Sequence, residues 1–213
     1  MNQKPTYNMK NLINIKSILS LFLYAAGAIL LVSSCSENNT RDSKAEARED
    51  NVRKLAANDT TASVIEDDND YNFLVKAAEM QMEMISLGQL AQQKGTSSNV
   101  KELGKMMEEE HTKSLNEINT LAQSKSVSLP TSETEDSRDA HKDLNDQNGN
   151  DFEKDYCKRM VDRHEDAIDL YENAVEGSED PQVRAYASEK LPTLRTHLKN
   201  AEDSKERSDN NKS

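Results

Sequence analysis

Apolar residues recur at steps of three and four over four stretches of this chain, with no alternating strand pattern. Leu74, Ala77, Ala78, Met84, Ile85, Gly88 and Ala91 mark a first helix over about 71–94, which Gly95 stops. Val100, Leu103, Met107, His111, Leu115, Ile118 and Ala122 mark a second, opening near Ser97. Phe152, Tyr156, Met160, His164, Ala167, Tyr171 and Ala174 form a narrow seam from Asp151 to Gly177. The fourth opens on Asp180 as N-cap and Pro181 at the first helical position. Val183, Ala187, Leu191, Leu194, Leu198 and Ala201 face one way along it, and Pro192 should bend it or weaken one turn. Four amphipathic helices with short first and last loops predict an all-α fold, an antiparallel four-helix bundle over 71–203. The polar stretch 126–150 reads as the long connection, and 204–213 as a disordered tail.

Residues 1–34 read as a lipoprotein signal peptide. Lys4, Lys10 and Lys16 give a positive start with no acid before Cys35, and 18–32 is an almost continuous apolar run. That run is about 15 residues, shorter than the ~20 of a membrane span, and no basic cluster follows it. Leu31-Val32-Ser33-Ser34-Cys35 resembles a lipobox, which implies cleavage before Cys35, acylation of that thiol (palmitate-type chains), and attachment to the bacterial cell envelope. The outer membrane is the expected face. Residues 35–70 then read as the lipidated cysteine and a flexible polar tether, giving a stand-off of about 20–35 Å.

Charge sharpens this picture. The chain has 27 basic and 39 acidic residues, net −12. Three of the lysines fall in the signal, so the mature chain is near −15 by this count. Such a surface repels nucleic acid and anionic headgroups, leaving the lipid on Cys35 as the membrane contact. With Cys35 acylated, Cys157 is a lone thiol and no internal disulfide can form. No phosphate loop, zinc-type cysteine pair or serine elbow is present, so a binding module is expected in place of an enzyme.

The candidate chemistry is histidine. His111, His164 and His197 lie on or beside apolar seams of three helices, whereas His141 lies in the polar connection. Counted from the helix ends at about 1.5 Å per residue, His111 and His164 are level and His197 is offset by roughly 6 Å. Imidazole suits iron, zinc and copper, so these three are candidate ligands for one transition metal, with Glu108, Glu83 and Met84 as further candidates. Position 161 is Val and position 194 is Leu, so the paired Glu-x-x-His motifs of a di-iron centre are missing. The other reading is three core histidines bonded to one another, to Tyr156, Tyr171 or Tyr186, or to water.

The order and spacing of several short motifs resemble one bacterial family. They are Phe73-Leu74, Ala77-Ala78, Leu87-Gly88-Gln89-Leu90-Ala91, Val100-Lys101, Met107 before His111, and Leu129-Pro130. The second half adds Phe152, Tyr156, Met160-Val161, His164, Leu191-Pro192-Thr193-Leu194 and His197-Leu198. The resemblance is to domain-of-unknown-function family 4142 and covers about 71–201. It implies a ferritin-like four-helix bundle in exported or outer-membrane proteins, no assigned activity, His111, His164 and His197 as family positions, and a tolerated Pro192. The family commonly has an acid where this chain has Met84. A Cys35→Ala chain is expected to leave the membrane fraction on ultracentrifugation; its retention there would overturn the lipoprotein reading.

Overall fold

The computed structural model describes residues 42–57 and 69–210, and all six regular elements there are α-helices. The signal peptide, Cys35 and the stretches 36–41, 58–68 and 211–213 lie outside the described residues. The helices are α1 (Ser43–Ala57), α2 (Asn69–Lys94), α3 (Ser98–Ser124), α4 (Glu135–Asn145), α5 (Gly149–Gly177) and α6 (Pro181–Asn210). None is long and apolar enough to cross a membrane.

The four long helices pack in a ring, α2 on α3 and α5, and α6 on α5 and α3. Their ends show the directions. Glu153, near the start of α5, accepts from Thr96 N, Thr96 Oγ1 and Ser97 N in the α2–α3 turn at 2.7, 2.7 and 2.6 Å. Asp180, at the start of α6, pairs with Lys125 at the end of α3, and its N–H donates to Asp70 at the start of α2. Each adjacent pair is therefore antiparallel. Residues 125–148 must return along the whole bundle, and α4 forms within that crossover, against α2 and α5.

Three segments differ from expectation. The connection 126–150 holds α4, with Thr134 accepting from Ser137 N as N-cap and Ser137, Ala140 and Leu144 buried on one face. The tether holds α1, whose buried face is Ser43, Ala47 and Asn51. It is tied by side-chain bonds to Ser132 and Ser128 and by Lys44–Glu79 at 3.1 Å. The supposed tail is the last turns of α6, where Ser204 and Ser208 are buried and Ser208 lies 3.7 Å from Cys157 Sγ. Apart from Leu144, these faces are built from Ser, Asn and Ala, which carry no strong hydropathy signal. α6 also runs unbroken through Pro192, whose ring is on the exposed face, where water can satisfy the carbonyl one turn back.

At Gly88 and Gly104 the backbones of α2 and α3 touch. A Cβ at either glycine would stand 2.7 Å from the other's carbonyl oxygen, and one at Gly104 would also stand 2.8 Å from Ala91 Cβ. Only hydrogen fits there without moving a helix. Gly104→Ala is expected to destabilise the fold by about 1–3 kcal/mol in urea denaturation, the usual cost of overpacking.

Candidate metal centre

The buried apolar residues fall into two clusters. One holds Phe73, Leu74, Met84, Ile118, Ala167, Tyr171, Val183, Leu191 and Leu194. The other holds Leu87, Val100, Leu103, Met107, Phe152, Tyr156, Cys157, Met160 and Ala201. The boundary falls between Met107 and Ile118 on α3, Met160 and Ala167 on α5, and Leu194 and Ala201 on α6. His111, His164 and His197 each occupy that gap.

Their ring centroids stand 5.3, 5.3 and 5.6 Å apart, and one nitrogen of each lies within 4.8 Å of the others. His111 is 1% exposed, His164 0% and His197 5%. Burial away from water holds all three neutral. It pulls His164 and His197 down to about 4 and His111 well below its ordinary value, with the neighbouring imidazoles adding to the shift at His111.

The tautomers follow from the partners. His164 Nδ1 lies 2.7 Å from the Met160 carbonyl, which can only accept, so Nδ1 carries the hydrogen. His111 Nδ1 lies 2.6 Å from Gln81 Oε1, so it too is the donor. Both Nε2 atoms are then bare lone pairs, and they face each other at 3.3 Å. Two lone pairs at that distance repel unless a cation lies between them. Two imidazoles bound to one tetrahedral metal at about 2.05 Å stand about 3.3 Å apart. The Nδ1 of His197 is buried with no hydrogen-bond partner among the described residues.

The other candidate ligands are placed elsewhere. Glu83 is clamped by Arg159 Nη2 at 2.7 Å and Arg163 Nε at 2.9 Å, an α2–α5 contact. Glu108 accepts from Gln89 and Gln92 at 2.8 and 2.7 Å, on the α2–α3 face. Neither belongs to the histidine cluster. Met84 is fully buried in the first apolar cluster. Gln81, 1% exposed, is the buried partner of His111 that sequence reading missed; on a Gln-rich helix nothing marks it.

Comparison with known proteins agrees with this architecture. The chain belongs to the family described as domain of unknown function DUF4142, which matches residues 46–203. A solved DUF305 fragment from Deinococcus radiodurans is similar in fold, with TM-score 0.58 and 13% identity over 65% of this chain and 96% of that one. No curated protein matches the chain.

Imidazoles that are neutral when folded and gain protons when unfolded make stability fall with acid. The contribution is complete above about pH 6.5 and is lost as pH drops towards 4. The metal-free protein is expected to lose about 3 kcal/mol between pH 7 and pH 5.5 in urea denaturation. A flat profile over that range would show that the folded imidazoles titrate as in the unfolded chain, so that burial does not hold them neutral.

Proposed function

We propose that this chain is a lipid-anchored, cell-envelope binding protein whose His111, His164 and His197 hold one transition-metal ion. The observation that supports it most is the pair of facing Nε2 lone pairs in a dry layer, with both Nδ1 hydrogens already committed to acceptors. That arrangement calls for a cation, and an all-imidazole donor set suits zinc, copper or iron. With Glu83 and Glu108 engaged elsewhere, the reading is a single-ion histidine site for storage, sensing or stress protection, with no catalytic role.

The four long helices and their one long crossover are read as a ferritin-like bundle, a form in which metal sites are built from side chains of facing helices. Attachment is proposed through lipid on Cys35, at the outer membrane, because the sequence up to Cys35 has the order of a lipoprotein signal. A second reading makes the layer a packing device in which the facing nitrogens share a proton; the same 3.3 Å separation favours it.

Mass spectrometric metal analysis of the full chain purified from bacterial envelopes separates the two. About one ion of iron, copper or zinc per chain, lost in a His111→Ala/His164→Ala/His197→Ala variant, is expected. Substoichiometric metal unchanged in that variant would overturn the metal reading.

A further inference from the structure

The donor set of the histidine layer carries no charge. Among the described residues, no carboxylate or thiol lies within the same 4.8 Å of all three imidazoles. Glu83 is spent on Arg159 and Arg163, and Glu108 on Gln89 and Gln92. The three rings are buried, so water does not screen the site from outside. An ion entering this layer meets three neutral nitrogens and keeps its whole charge. The cost of placing an ion in a dry core rises with the square of that charge, so a divalent ion costs about four times what a monovalent one does.

Coordination number points the same way. Zn²⁺ is four-coordinate in proteins, and three side chains leave its fourth place to water. Here no fourth histidine, cysteine or acid joins the cluster among the described residues. Cu⁺ is stable with three neutral nitrogens in a plane. At a bond of about 2.0 Å such nitrogens stand about 3.5 Å apart, close to the 3.3 Å between the Nε2 atoms of His111 and His164. The core beside the layer is soft as well. Gly88 meets Gly104, and Glu83 meets Arg159 and Arg163. Counting along the helices from those contacts puts Met84 of α2 level with Met107 of α3 and Met160 of α5, one turn from the histidines. All three methionines are fully buried, and thioether sulfur is a polarizable neighbour that favours Cu⁺.

We propose that the ion taken by this layer is monovalent copper, held three-coordinate by His111, His164 and His197 in a core that offers neither counter-charge nor water to a divalent ion. The proposal rests on the metal reading above and names its ion.

The test is an anaerobic titration of the metal-free full chain with Cu⁺ against a Cu⁺-specific chelator, and with Zn²⁺ and Cu²⁺ against their own competitors. One Cu⁺ per chain is expected, with Zn²⁺ and Cu²⁺ held more weakly by about 100-fold. For copper that ratio is a rise of about 120 mV in reduction potential over the free ion. The X-ray absorption edge of the loaded protein should be that of three-coordinate Cu⁺. Binding should survive Cys157→Ala and vanish in the His111→Ala/His164→Ala/His197→Ala variant. If that variant does not fold, His197→Ala, which removes the most exposed of the three rings, is expected to lose Cu⁺ affinity in its place. Zn²⁺ held as tightly as Cu⁺ by the same histidines overturns the copper proposal and leaves the metal reading standing. Cu⁺ binding that is lost in Cys157→Ala or unchanged in the folded histidine variants overturns the copper proposal too. A wild type that binds none of copper, zinc or iron overturns both.

Discussion

A polar layer in a dry core has to say where every hydrogen goes. Around His111 and His164 that assignment is forced, because two acceptor-only groups, the Met160 carbonyl and the Gln81 amide oxygen, claim the two Nδ1 hydrogens. What is left is a pair of lone pairs aimed at each other between two apolar half-cores. The rest of the bundle keeps that arrangement possible. Each half-core excludes water on its own side, which keeps the imidazoles neutral; the antiparallel registers bring positions 111, 164 and 197 to one height. A slip of one helical turn on any of the three helices would break the layer.

Several contacts hold those registers. Glu153 ties the α2–α3 turn to the start of α5 through three hydrogen bonds to one oxygen, and Asp180 ties the far ends of α3 and α2 to α6. Between them, Glu83 is buried against Arg159 and Arg163, one turn apart on α5. A buried ion pair of this kind adds little net stability, but breaking it leaves a charge unpaired, so it disfavours shifted packings more than it strengthens the right one. The Gly88–Gly104 contact works by shape alone, since a Cβ at either position would stand 2.7 Å from the other's carbonyl oxygen.

The long helices and the histidine layer were legible because their signal is large apolar residues at helical spacing, and counting from Gly95, Gly177 and Pro181 gives heights directly. The signal fails where a buried face is made of small polar residues. Ser43 and Asn51 of α1, Ser137 of α4, and Ser204 and Ser208 of α6 are all buried, yet each reads as solvent-facing in one dimension. Glu83 is a candidate ligand by height and Glu108 by its three-residue spacing to His111, but each is engaged by other partners. The arginines that hold Glu83 are 76 and 80 positions away in sequence, and no local pattern pairs them. Gln81 was silent for the same reason, because its worth lies in what meets it across the bundle.

The crossover gives the histidine layer a property that the geometry of the site does not show by itself. The chain folds as two helical hairpins, α2–α3 and α5–α6, each with a tight turn and mostly local contacts, of the sort that form fast. His111 belongs to the first hairpin, and His164 and His197 to the second. An ion held by all three would therefore join hairpins that are separated by 53 residues between its nearest ligands. It would act as a cross-link across a long loop, constraining the unfolded chain as a disulfide does, in a protein whose one described cysteine has no partner to make one. Such a link is set by the availability of metal, where a disulfide is set by redox state, so the docking of the two hairpins would report on the ions around the protein.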